Sequence, residues 1–173
     1  MESAGGRERI GIAGRGMIRL EYERAGELRM RQSEGILVFV YGTLLQGEAN
    51  DRWLRDARRV APEAVAPGTL YDTGRGYPAM TTAGRESEST VLGELYAIDE
   101  QTLQALDELE DFYGSGDPRN EYERVRSVVR TEHGASEAWT YVYERVPTGC
   151  THIPTGDWRR YRRELQERPL RDR

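Results

Sequence analysis

The sequence predicts an α+β fold: a small mixed β-barrel, formed by a curved sheet closing on itself, flanked by helices. Three observations predict it. The run Ile36-Leu-Val-Phe-Val-Tyr41 is apolar at every position, as in a strand covered on both faces. The remaining pattern is rich in strands, with three helical stretches inserted out of regular alternation. No Gly-x-Gly-x-x-Gly turn follows the first strand, which argues against a doubly wound nucleotide-binding sheet. Strands that need cover on both faces are served by a closed barrel with helices outside.

The elements follow in order. Residues 1–34 are rich in Arg, Glu and Gly, with Met17 and Met30 as alternative starts. Ile18, Leu20 and Tyr22 alternate with charged residues, as do Leu28 and Met30, so the leader reads as a tail or an accessory hairpin. The folded domain is expected over 35–165, with 166–173 as a C-terminal tail. Its first strand stops at Gly42-Thr43. Asn50 can cap a helix through Trp53, Leu54 and Ala57. Pro67-Gly68 precedes a short strand, Thr69 to Tyr71, and 72–78 is a loop. Thr90 to Ile98 is a strand whose Gly93 leaves room for a close neighbour. A helix over 99–110 and a Gly/Pro/Asp-rich loop over 111–121 come next. Tyr122 to Thr131 and Glu137 to Tyr143 form an antiparallel pair joined near His133-Gly134. Asp157 caps a last, Arg-rich helix with Trp158 and Tyr161 on one face.

Composition excludes several function classes. The formal net charge of -5 gives no general attraction to nucleic acid or to an anionic membrane. No apolar run reaches the ~18 to 20 residues needed to span a bilayer. The first residues show no export signal, and the single cysteine, Cys150, forbids an intramolecular disulfide; both fit the cytoplasm. All 25 basic residues are arginine. That removes Schiff-base chemistry and a Walker-type phosphate loop. With only His133 and His152, a multi-histidine metal site is excluded. Cys150-Thr-His152 could place Cys and His on one face of an extended segment, but a loop between Pro147 and Pro154 is the simpler context. Chemistry then falls to carboxylates, hydroxyls, backbone N–H groups and arginines. No metal and no cofactor are expected. The acidic group Asp107, Glu108, Glu110 and Asp111 points to different faces of a helix and makes no metal cluster.

One carboxylate stands out. At about 100° per residue, Leu103, Ala105, Leu106 and Leu109 share an apolar arc of the 99–110 helix. Glu110 falls within that arc, whereas Glu100, Asp107 and Glu108 lie outside it. If the helix ends at Leu109, Glu110 simply turns to solvent. If it faces the core, loss of hydration raises its pKa toward neutrality and makes it a proton carrier near pH 7.

A set of short motifs now joins up. Val38-Phe-Val-Tyr-Gly-Thr-Leu44 with Gly47 resembles the Tyr-Gly-Thr/Ser-Leu signature of the γ-glutamyl cyclotransferase-like family, which includes AIG2-like, BtrG-like and γ-glutamylamine cyclotransferase proteins. The resemblance continues through Leu70-Tyr71, Gly76-Tyr-Pro-Ala79, Gly93-Glu-Leu-Tyr96 and Leu106-Asp-Glu-Leu-Glu110. It extends to Tyr122-Glu-Arg124, Trp139-Thr-Tyr-Val-Tyr143 and Gly156-Asp-Trp158, covering about 36–161. Each motif is weak alone; their order is what is specific. Asn50 is followed by Asp51, where many relatives carry His, a difference we read as tuning at the rim or packing rather than loss of chemistry.

The resemblance implies a barrel fold and a transferase- or lyase-type amide cleavage with lactam formation. The α-amine of a γ-glutamyl group attacks its own γ-carbonyl, 5-oxoproline forms, and an amine or amino acid leaves. The partner is therefore a small-molecule γ-glutamyl substrate. Glu110 matches the family's catalytic glutamate, at the end of the Leu-Asp-x-x-Glu motif. Tyr41, Gly42, Thr43 and Leu44 match the loop that lines the glutamyl pocket. Tyr77, Tyr122, Arg124 and Tyr143 are further candidates for substrate binding. Arg124 could instead hold the Glu110 loop by an ion pair, and Tyr141 and Tyr143 divide between core and pocket wall. Two other readings stay open: a module of the same fold that binds without turnover, and a γ-glutamyl amide hydrolase. The motifs leave the leaving group and the oligomeric state undefined.

Overall fold

The computed structural model describes residues 35–82, 89–146 and 148–167. The tail or hairpin expected over 1–34 lies outside the described residues. Strand β1 (Ile36–Val40) runs antiparallel to β4 (Thr90–Ile98) and parallel to β6 (Gly134–Val142). The β6 strand pairs with β5 (Glu123–Thr131), and β4 with the long β2 (Arg58–Asp72). Val65 of β2 meets Arg130 of β5, which closes the circuit β2-β4-β1-β6-β5 into a five-stranded barrel. Beyond Val65, β2 runs on into a second pairing layer. It is flanked there by β3 (Pro78–Thr82) and β7 (Thr151–Ile153). Helices α1 (Glu100–Leu109) and α2 (Trp158–Glu167) complete the described domain.

Sequence pattern accounts for most of this. The β1 residues Val38, Phe39 and Val40 are buried, as a strand between two neighbours requires. Gly93 of β4 has no side chain because a Cβ would run into the carbonyl of Val40 and the Phe39 ring. Its close neighbour is backbone. Asp99 accepts from the Thr102 N–H at 2.7 Å and caps α1, whose Leu103 and Leu106 are buried. The β5–β6 hairpin turns at Glu132-His133, with Thr131 opposite Gly134. Asp157 accepts from the Arg160 N–H at 3.0 Å, and Trp158 stacks on Tyr161.

The expectations fail in four places. The strand expected at Thr69 to Tyr71 is the end of a strand fifteen residues long. Register shifts between Arg59 and Ala61 and between Ala61 and Ala64 interrupt the alternation that would have revealed its first half. Pro78–Thr82, expected at most to end a loop, is a strand. The helix expected after Asn50 is a 3₁₀ turn, Asp51–Leu54, with no side-chain cap. The Asn50 amide instead donates to Thr43 Oγ1 at 3.1 Å. Finally, Thr151–Ile153, expected as part of a loop between Pro147 and Pro154, is strand β7.

Candidate active site

The parallel strands β1 and β6 both point their C-terminal ends toward one mouth of the barrel, where β5 begins. A cleft opens there. It is lined by Tyr41, Gly42, Thr43 and Leu44 after β1, by Tyr77 and Pro78 at the start of β3, and by Glu110, Tyr122 and Tyr141. Its empty volume, open mouth included, is about 350 Å³.

Glu110 owes its position to the way α1 ends. The Phe112 N–H donates to the Asp107 carbonyl at 2.8 Å and the Asp111 N–H to the Glu108 carbonyl at 3.5 Å. Asp111 adopts φ +50. These are the bonds of a Schellman motif, with Asp in the left-handed position that glycine usually takes. The helix does end at Leu109, yet Glu110 at its C-cap is half-buried and lines the cleft. No donor among the described residues hydrogen-bonds its carboxylate. Burial, then the charges of Glu121 and Asp111, push the group up to about 7. It can therefore take up and release a proton near neutral pH.

The surrounding tyrosines give their protons elsewhere. Tyr41 donates to the Tyr141 carbonyl at 2.7 Å and Tyr122 to the Pro78 carbonyl at 2.9 Å. Tyr77 donates to Glu121 at 2.8 Å, and Tyr141 to Asp107 at 2.7 Å. Burial, as the main cause, holds Tyr41, Tyr122 and Tyr141 above the ordinary phenol range, so they stay protonated. The tyrosines of the cleft wall thus offer ring faces rather than free hydroxyl protons.

Donors remain in the loop after β1. The Leu45 N–H donates to the Gly42 carbonyl and the Asn50 N–H to the Thr43 carbonyl, at 3.1 and 2.8 Å. The N–H groups of Gly42, Thr43 and Leu44 have no acceptor among the described residues. Backbone N–H groups left without an acceptor beside a cleft are available to a bound anion or to water. Gly42 itself is fixed by packing: a Cβ there would lie 2.6 and 2.8 Å from ring carbons of Pro78.

Two residues expected in the site lie off the cleft lining. Arg124 gives Nη1 to both carboxylate oxygens of Asp107, at 2.8 and 2.6 Å. Its guanidinium sits between the rings of Phe112 and Trp139, 4.9 and 4.7 Å from their centroids. It ties β5 to the last turn of α1 and so braces Glu110. Tyr143 packs edge-on against Tyr122 and donates to Glu121 at 2.6 Å. Cys150 and His152 are also away from the cleft, His152 lying against Tyr71. Among the described residues no group of three His, Cys, Asp or Glu side chains is gathered as a metal site.

Sequence reasoning missed Glu121 and Glu94. Glu121 sits in the loop 111–121, where no periodicity marks one residue against another. Glu94 was visible as part of Gly93-Glu-Leu-Tyr96, and a carboxylate in the middle of an apolar strand was a signal that carried no role. It is 1% exposed.

Residues 38–160 match the model of a family described as gamma-glutamyl cyclotransferase, AIG2-like. The chain is 39% identical over 125 residues to the gamma-L-glutamyl-butirosin B gamma-glutamyl cyclotransferase of Niallia circulans, covering 72% of this chain and 76% of that protein. The crystal structure of YkqA from Bacillus subtilis superposes with a TM-score of 0.62 at 28% identity, over 77% of this chain and 43% of that longer one. An AIG2-like protein of Mus musculus has the same fold, with a TM-score of 0.54 at 24% identity over 65% of this chain and 80% of that one.

Proposed function

We propose, on the premise that this chain belongs to the AIG2-like γ-glutamyl cyclotransferase family, that Glu110 is the proton shuttle of its reaction. The protein is an enzyme of that type, and release of 5-oxoproline is the family's reaction. What carries the assignment of Glu110 is one observation: a half-buried carboxylate without a partner, raised to about 7, lining the same cleft as a loop of unpaired N–H groups.

Chemistry follows from the geometry. The Glu110 carboxylate takes a proton from the substrate's α-ammonium, and the freed amine attacks the γ-carbonyl carbon. The new C–N bond closes a five-membered ring, so the two reacting groups arrive already tethered. The oxyanion and the α-carboxylate need donors. With the tyrosine protons committed elsewhere, the N–H groups of Gly42, Thr43 and Leu44 fill that role. Protonated Glu110 then gives its proton to the departing nitrogen as the C–N bond to the leaving group breaks, and the regenerated carboxylate takes the second proton from the ring nitrogen and passes it to the released amine, leaving a neutral lactam and an ammonium product. Tyr41, Tyr77 and Tyr122 pack around the glutamyl chain. No step calls for a metal or cofactor.

The leaving group is a small amine or amino acid. The Niallia relative is named for γ-glutamyl-butirosin B, so amine-bearing small molecules are the first candidates to try. We place the enzyme in the cytoplasm, with no nucleic-acid or membrane partner. Its acidic net charge and its unpaired Cys150 support this, and no helix among the described residues is long and apolar enough to cross a membrane. The deciding experiment is product analysis on a panel of γ-glutamyl amines and peptides. 5-Oxoproline supports the reading, free glutamate means a hydrolase, and binding without product means a binding module.

A further inference from the structure

We propose that Glu94 is a positioning residue: it clamps the far end of the 42–46 loop so that the loop's unpaired N–H groups hold one orientation toward the cleft. The inference rests on the reading of that loop as the donor site.

Glu94 stands in β4 directly opposite Val40, the last residue of β1 before the loop. Its Oε2 accepts from the Gln46 N–H at 3.0 Å and from Tyr96 Oη at 2.8 Å. Its Oε1 accepts from Arg159 Nη2 of α2 at 2.9 Å, with Arg59 Nη1 of β2 at 3.5 Å. The same Arg159 nitrogen donates to the Gln46 carbonyl at 2.5 Å, and Arg59 reaches the Gln46 side chain. Both backbone groups of Gln46 are therefore held from other elements, the N–H by β4 and the carbonyl by α2. Charge-assisted hydrogen bonds of this kind are shorter and stronger than neutral ones.

The loop has few other anchors. At its near end Tyr41 Oη is tied to the Tyr141 carbonyl. Between them lie the Leu45–Gly42 and Asn50–Thr43 bonds. A donor set acts on a developing oxyanion only if it is held to about 0.5 Å before the reaction starts. The Gln46 clamp supplies that at the far end of the loop, away from β1. The competing role for Glu94 is to fasten α2 to the barrel and nothing more.

Glu94→Gln separates these roles, since it keeps the shape and an acceptor oxygen but removes the charge. Positioning predicts that kcat for 5-oxoproline formation falls roughly tenfold or more, with KM changing less. The pH midpoint of kcat stays where Glu110 sets it. Amide exchange of Leu45, Gln46 and Asn50 quickens, while that of β1 and β4 is unchanged. A folded variant with wild-type kcat and loop exchange, only less heat-stable, overturns the proposal, as does quickened exchange throughout the barrel. If Glu94→Gln does not fold, Arg159→Met cuts the clamp from the half-exposed side of α2 and is read by the same measurements, with a smaller loss of kcat. A wild-type protein that makes no 5-oxoproline sinks the functional reading instead. The exchange measurement judges the clamp independently of it.

Discussion

The chain carries two glutamates on consecutive elements, one within β4 and one at the end of α1, and their surroundings differ in every respect that matters. Glu110, at the end of α1, is half-buried, unpartnered and raised to about 7 beside two other carboxylates. Glu94, in β4, is fully buried and accepts from a backbone N–H, a phenol and arginines of α2 and β2. Burial alone does not make a proton carrier. A buried carboxylate saturated with donors holds structure together, whereas one left without donors has reason to take up a proton. On the reading proposed above, the barrel mouth uses both, the first to fix a loop and the second to face the substrate.

The contrast can be tested at its strongest point. Glu110→Gln preserves shape but cannot accept the ammonium proton, so turnover should fall by roughly 10²- to 10⁴-fold in a folded protein. Near wild-type rates of 5-oxoproline formation in that variant would remove Glu110 from the chemistry. In the wild type, kcat should decline as pH falls through about 7, where Glu110 becomes protonated.

Gly42→Val attacks the other half of the site. The new side chain runs into Pro78, which lines the same cleft. Calorimetric titration should find binding of 5-oxoproline weakened by at least roughly tenfold, whereas Glu110→Gln should largely retain it. Normal binding by the Val variant would move the glutamyl pocket away from the Tyr41–Leu44 loop.

Stability should distinguish the two glutamates by sign. The folded pKa of Glu110 is raised from the ordinary 4.5 to about 7, so the native state binds the extra proton and loses stability as pH rises between those values. At pH 8 Glu110→Gln should therefore be more stable than wild type, by about 1–3 kcal/mol, and the gain should vanish near pH 4. Glu94→Gln should be less stable than wild type at pH 8, by about 1–3 kcal/mol. Denaturant unfolding at both pH values gives the comparison; equal signs for the two variants would refute it.

The smallest effect is expected from removing residues 1–34, which carry none of the site motifs. A protein beginning at Gly35 should keep kcat and KM within about twofold, on the order of 0.5 kcal/mol, as measured by the same product assay.

Much of this was written into the chain locally. The apolar run of β1, the Asp99 cap with its Leu103 and Leu106 stripe, and the β5–β6 hairpin depend on neighbours in sequence, so periodicity and turn chemistry suffice to read them. The ordered motifs likewise point to Tyr41 to Leu44, Tyr77, Tyr122 and Glu110 as one candidate site, and these residues line one cleft. Other features depend on partners far along the chain. The length of β2 is hidden by bulges that only its pairing with β4 explains. Asn50 looks like a cap until Thr43 takes its amide. Arg124 could touch substrate or brace the helix from sequence alone; its bonds run to Asp107, seventeen residues away. Above all, sequence could place a glutamate at the end of an apolar arc but could not say whether it reaches water or a cleft. An Asp in the left-handed position after the helix turns the chain there, and burial beside Glu121 raises the carboxyl. Those are long-range electrostatic and packing effects, which composition and spacing do not carry and the closed barrel does.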